Sequence, residues 1–116
     1  MEKVENATIP KIEIVCNSTE FEYIAKAVGY GIEEEGLPYH ITVGEATPKD
    51  AYELSQSPGL GVGIWVGEGT VAVFCRQLKE VRPIFESIIT ELETGKTMGK
   101  NAARIIKNKP FLDIKE

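Results

Sequence analysis

The apolar positions of this chain fall into two rhythms, and each change of rhythm marks an element. Residues 11–17 (KIEIVCN) are dense in β-branched side chains and read as a first strand. Phe21, Ile24, Val28 and Ile32 then recur at helical spacing, behind Ser18 and Thr19 as capping residues and with Glu20 and Glu22 in a favourable first turn. A second stripe, Tyr23, Ala27, Tyr30 and Glu34, repeats at helical spacing on a face that the pattern turns away from the core. The helix ends in three consecutive glutamates, and Gly36 and Pro38 turn the chain into a second strand at 39–43 (YHITV).

Thr47 as N-cap and Pro48 at the first helical position open a short helix over 49–56, closed by Ser57, Pro58 and Gly59. Residues 60–66 (LGVGIWV) are almost wholly apolar, as a strand buried on both faces is, so they belong at the centre of a sheet. Gly67, Glu68 and Gly69 read as a hairpin connection whose glycines can take positive φ, leading into 70–75 (TVAVFC) as an antiparallel fourth strand. Residues 83–89 fit either a fifth strand or the start of a helix running on through 92–95. Thr97 offers the cap of a last helix over 99–107, which Pro110 ends. This order predicts a loose arm at 1–10 and one α/β domain at 11–116, its mixed sheet flanked by helices on both faces.

Charge changes the picture at one place. From Lys96 onward six basic residues stand against two acidic ones, a net of +4, so residues 1–95 carry −9 of a total of −5. An acidic body, with no face of interleaved aromatic and basic residues, excludes a nucleic-acid binder. Glu33, Glu34 and Glu35 sit where the helix dipole makes carboxylates least welcome, at a cost of about 0.3–1 kcal/mol each when exposed. A cation or a partner's basic side chain would relieve that repulsion. Glu34 lies two residues past Ile32, about 200° around the helix, and so points away from the core stripe. Tyr23 and Tyr30 beside it suit an interface, where tyrosine is enriched.

Other chemistry is thinly supported. Gly61 and Gly63 lie inside a strand and lack the third glycine of a dinucleotide loop, so close approach of a neighbouring helix or backbone explains them better. His40 is the one histidine, at a strand start, and Cys16 and Cys75 lie in apolar runs 59 residues apart, which predicts buried reduced thiols in place of a zinc site. There is no G-x-S-x-G elbow, and adjacent glutamates on a helix fan out about 100° apart, so they form no acid/base pair. No stretch has the apolar length of a membrane span and the first ten residues carry no apolar run, which predicts a soluble, cytoplasmic protein.

At GIEEEGLPY (31–39), SPGLGVGIWV (57–66) and NAARIIKNKPF (101–111) the chain resembles the small subunit of the diol/glycerol dehydratase reactivating factor. The resemblance implies a three-layer α/β/α domain around a mixed, mostly parallel sheet of about five strands, with strand four antiparallel, similar to the dehydratase medium subunit. It implies a non-catalytic subunit that pairs with a large ATPase subunit in a chaperone for adenosylcobalamin-dependent diol or glycerol dehydratase. Subunit exchange would let damaged cobalamin leave the client, the coenzyme belonging to that client and no cofactor binding this chain alone. The resemblance also makes Glu34 a ligand of a Mg2+ or Ca2+ ion shared with the large subunit, within an interface of Tyr23, Tyr30, Glu33, Glu34 and Glu35. Self-association of the isolated chain and association with a bacterial microcompartment stay open. The alternatives are a medium-subunit-like component of the dehydratase and a small-ligand-binding α/β domain with its pocket at the strand carboxyl ends near Asn17, Ser18 and Thr19.

Overall fold

The computed structural model describes residues 9–114, so most of the arm expected at 1–10 lies outside the described residues. The strands are β1 (Ile12–Cys16), β2 (Tyr39–Val43), β3 (Val62–Gly67), β4 (Thr70–Cys75) and β5 (Phe85–Ile88), and the helices are α1 (Glu22–Glu34), α2 (Pro48–Gln56) and α3 (Leu92–Lys107). One sheet runs β2-β1-β3-β4-β5. β1 pairs in parallel with both β2 and β3, because a helical crossover returns the chain in its original direction, while β4 lies antiparallel to β3 and to β5. Four strands therefore point one way and β4 the other. The β1–α1–β2 crossover runs one way across the sheet and the β2–α2–β3 crossover runs back the other way past β1, so α1 and α2 fall on opposite faces.

Side-chain alternation sorts the core into two clusters. Ile12, Ile14, Ile64, Val66, Val71 and Val73 face α1 and α3, which answer with Ile24, Val28, Ile32, Met98 and Ala102. On the other face Trp65, Ala72 and Phe74 pack against Ala51 of α2. β3, buried at every position, is the central strand that its apolar run predicts, displaced slightly from 60–66. Gly63 is the place where α2 rests on the sheet: a Cβ there would fall 2.1 Å from the Ala51 carbonyl oxygen. Helix approach thus explains Gly63, as expected, in place of a nucleotide loop. Gly61 departs from the expectation: it lies just before β3 at φ 81°, a left-handed position that favours glycine, and an added Cβ would crowd the Arg76 side chain and no helix.

Local signals account for most boundaries. Ser18 Oγ accepts the N–H of Glu20 at 3.2 Å, capping a 3-10 turn at Thr19–Phe21 that leads into α1. At α2 the Thr47 N–H donates to Asp50 Oδ2 at 2.7 Å. The hairpin after β3 places Glu68 at φ 52° and Gly69 at φ 76°, so a glutamate holds one of the two left-handed positions of the turn. Glu68→Asn should therefore raise stability by about 0.5 kcal/mol, since asparagine tolerates this region better, and a urea titration reads the gain.

Of the two readings open at 83–89, the strand is the one that forms, as β5. Two expectations need correction. α3 starts at Leu92, well before Thr97, whose hydroxyl instead donates to the Glu93 carbonyl at 3.1 Å inside the helix. Ala27 is not on a solvent face; it is 6% exposed and packs against Gly95 of α3. α1 buries two sides, one on the sheet and one on α3, where its stripe pattern predicts a single core face. The α1/α3 contact is unusually close: a Cβ on Gly31 would lie 2.0 Å from the Lys96 carbonyl oxygen, and one on Gly99 would lie 1.9 Å from that of Val28. The two helices run parallel, because β5 and β1 run the same way, so their carboxyl ends finish side by side.

Candidate functional site

That side-by-side ending builds the site. α1 closes with Glu33, Glu34 and Glu35, and α3 carries Lys96, Lys100, Arg104 and Lys107 at four-, four- and three-residue steps along one side. Glu34 Oε2 meets Lys96 Nζ at 2.8 Å and its Oε1 meets Lys100 Nζ at 3.3 Å. Glu35 Oε2 accepts from Arg104 Nε at 3.1 Å and from its second guanidinium nitrogen at 3.0 Å, with Lys107 and Lys109 at 3.7 and 3.9 Å from Oε1. Lys107 also donates to the Glu35 carbonyl, one of the orphan acceptors of the helix end. The cations that relieve the acidic helix end are thus this chain's own. The basic terminal segment is not a free arm; it folds back on the glutamates.

The two pairs differ in kind. Glu34 is half exposed, and the hydrogen bond from Lys96, seconded by Lys100, holds its carboxyl below the usual range. Its ion pairs are of the screened surface class. The Glu35 side chain is only 9% exposed; burial pushes its carboxyl up, and the hydrogen bond and charge of Arg104, with Lys109 and Lys107 behind, outweigh that and bring it down. Glu35 ties α1 to α3, whereas Glu34 keeps a face to solvent. Glu33 is exposed and has no ion pair among the described residues; after burial itself, its charge is the next cause raising the phenol of Tyr39, whose ring lies over Gly29.

Tyr23 and Tyr30 stand 58% and 52% exposed on the outer face of α1. The structure thus brings Tyr23, Tyr30, Glu33 and Glu34 to one outward surface and withdraws Glu35 from it. Sequence reasoning missed Lys96, Lys100 and Arg104 as partners, although their regular spacing was the available signal.

The remaining chemistry is sparse. At the carboxyl ends of β1 and β3, where open α/β sheets hold ligands, the Asn17 N–H donates to the Val66 carbonyl at 3.0 Å and the Gly44 N–H to that of Cys16 at 2.9 Å. Trp65 fills the α2 side there, its Nε1 donating to Ala46 at 2.9 Å. Asn17 Oδ1 is buried there without a partner among the described residues. A cavity of about 640 Å³ opens at the opposite, amino ends of the strands, lined by Pro10, Glu13, His40, Leu54 and Leu60. His40 Nδ1 meets Glu13 Oε1 at 3.0 Å in the register that pairs the two strands. Cys16 and Cys75 are buried free thiols, and burial pushes that of Cys16 up. Among the described residues no cluster of three metal-ligating side chains occurs, and no helix is long and apolar enough to cross a membrane.

Residues 9–112 match the dehydratase medium subunit family. The chain belongs to that family. Its relatives include the diol dehydratase-reactivating factor small subunit of Klebsiella michiganensis, 33% identical over 72% of this chain and 70% of that one. The propanediol dehydratase-reactivating factor small subunit of Salmonella typhimurium is 32% identical over 72% and 75%. Among solved structures, a chain of the diol dehydratase-reactivating factor complexed with ADP and Mg2+ superposes with a TM-score of 0.81 at 28% identity, covering 91% of this chain and 100% of its own. A glycerol dehydratase reactivase chain shares the fold, with a TM-score of 0.80 at 20% identity over 91% and 99%. The three-layer α/β/α fold with its five-stranded mixed sheet is therefore common to these subunits.

Proposed function

We propose that this chain is the small subunit of a dehydratase reactivating factor, a non-catalytic partner that docks on a larger ATP-hydrolysing subunit and whose client is a diol or glycerol dehydratase. The observation that carries this reading is the correspondence, over the full length of that chain, to a reactivating-factor chain solved with ADP and Mg2+. Membership of the medium subunit family supports a mechanism of subunit exchange, in which a look-alike of the enzyme's own subunit takes its place and loosens the inactivated enzyme so that damaged cobalamin leaves. Mixing the purified chain with its large subunit, inactivated dehydratase, ATP and fresh coenzyme should restore activity only when both subunits are present. Recovery with the large subunit alone would overturn the assignment.

The outer face of α1, with Tyr23, Tyr30, Glu33 and Glu34, is the proposed contact with the large subunit. Glu34 suits a shared divalent cation: its carboxylate is a hard oxygen donor, half exposed, and its two ammonium partners ride on flexible stems. A bound Mg2+ or Ca2+ would supply a fixed positive charge that bridges the two subunits. This chain's part is to present Glu34 at the end of a rigid helix and to release Lys96 and Lys100 from it. Glu34→Gln should weaken the complex about tenfold in magnesium and leave the isolated domain's thermal midpoint nearly unchanged. Glu33→Gln should matter much less, and Glu35→Gln should act on folding before it acts on binding. Calorimetry of the three variants, with magnesium and with chelator, checks this; equal effects, or none of metal, would leave a solvated acidic patch.

A further inference from the structure

Residues 109–114 belong to no helix or strand, yet they are laid back along α3 as a strap. Asn108, in the left-handed region at φ 57°, stops the helix, and the N–H groups of Asn108 and Lys109 turn onto the carbonyls of Ile105 and Arg104. The chain then reverses. Arg104 donates to the Pro110 carbonyl at 2.9 Å, and the Phe111 ring meets Phe85 of β5 edge-on at a centroid distance of 4.7 Å. The strongest hold is Asn101, whose side chain is fully buried in α3. Its Nδ2 donates to the Leu112 carbonyl at 2.9 Å, and its Oδ1 accepts the Leu112 N–H at 2.7 Å.

One amide thus satisfies both main-chain groups of one residue, as a neighbouring strand would, and it reads an extended segment without reading its side chain. Lifting the strap would exchange both of that amide's well-made main-chain hydrogen bonds for water, so the groove favours an extended segment as occupant. The strap itself is weakly committed, since residues 107–113 are exposed. What keeps it on its own chain is the reversal at Asn108. A segment that fits its groove through main-chain contacts fits the identical groove of a second copy equally well, and only the hinge decides between the two.

We propose that the strap is an exchangeable element, and that the groove between α3 and β5 accepts the strap of a second copy of this chain to form a swapped dimer. Straightening Asn108 points the six strap residues outward, a reach of about 20 Å when extended. The contacts to Asn101, Arg104 and Phe85 are then remade in the partner copy, and no new surface is required.

The hinge provides the test. Asn108→Val makes the left-handed turn costly for a β-branched residue and should lower the dimer dissociation constant about tenfold or more relative to wild type, whereas Asn108→Gly should raise it. Sedimentation of the full-length variants measures both. Within the Asn108→Val background, Asn101→Ala keeps a sound strap beside a damaged groove, and Leu112→Pro keeps a sound groove but lacks the strap N–H. Each alone should be monomeric, and their mixture should form a heterodimer, read by native mass spectrometry, because one sound strap then meets one sound groove. Dimers of either double variant alone would place the contact elsewhere and overturn the proposal. So would an Asn108→Val chain that stays monomeric up to about 1 mM, the range where a short tether ceases to dominate.

Discussion

Gly99→Ala is expected to destabilise the domain by about 3 kcal/mol, near the upper end of what overpacking costs, and to lower the thermal midpoint by about 10 °C. Alanine is the better helix former by roughly 0.5–1 kcal/mol, so propensity alone would predict a gain. Sterics decide the sign: the added Cβ would lie 1.9 Å from the Val28 carbonyl oxygen and 2.8 Å from its carbon, and the obstacle is the backbone of α1, which no rotamer change can move. Gly31→Ala meets the Lys96 carbonyl in the same way and should cost about as much, again by overpacking. Gly36→Ala is the control, with φ at 88° and nothing within 4 Å of the new methyl, so it should lose only about 1 kcal/mol of backbone strain. Thermal melts of the three compare directly. Equal losses at Gly99 and Gly36 would show that the helices can part without penalty.

Arg104→Met should cost about 2 kcal/mol at pH 7, because it leaves the nearly buried Glu35 carboxylate without its two guanidinium hydrogen bonds. Lys107 and Lys109, at 3.7 and 3.9 Å, cushion the loss. Its pH dependence identifies the cause. In the native chain the folded carboxyl is held below its usual value of about 4.5, so its contribution is fully present above that pH and fades as pH falls through the folded value. Without Arg104 the burial that raises the carboxyl is opposed by the lysines alone, the folded carboxyl is less depressed, and protonating it removes the unpaired charge. The deficit of the variant should thus be largest above pH 5 and shrink below pH 4. Urea titrations at pH 7 and pH 3 read it, and a deficit of the same size at both would assign the effect to lost packing of the arginine stem.

How much of this was legible in the sequence depends on where each signal lay. β2 and β4 were readable to the residue, because β-branched runs bounded by Pro38, Gly44 and Gly69 are local statements. The start of α3 was not: Glu91 makes no side-chain cap, whereas Thr97, Gly95 and Gly99 look like a cap between two interruptions. Those glycines answer to α1, about 70 residues earlier in the chain, and no local pattern reveals that. Ala27 was misplaced for the same reason, since a helix packed on two sides carries two stripes and the smaller residues mark the closer contact. At the acidic helix end the need for a cation was legible from Glu33, Glu34 and Glu35 alone. Its supplier was not, beyond the imbalance that put −9 before residue 96 and +4 after it.

The glycine contact between α1 and α3 also has a mechanical meaning. Where helices usually meet, a layer of side chains can shear, and rotamer changes let one helix slide on the other by an ångström or more. Here backbone rests on backbone at Gly31 and Gly99, and the glutamates and basic side chains bolt the carboxyl ends together. The pair should behave as a single stiff plate. A load applied to its outer face when a partner is pulled away would pass into the sheet as a whole instead of being absorbed by slippage, so the surface that is released would keep the shape in which it docked.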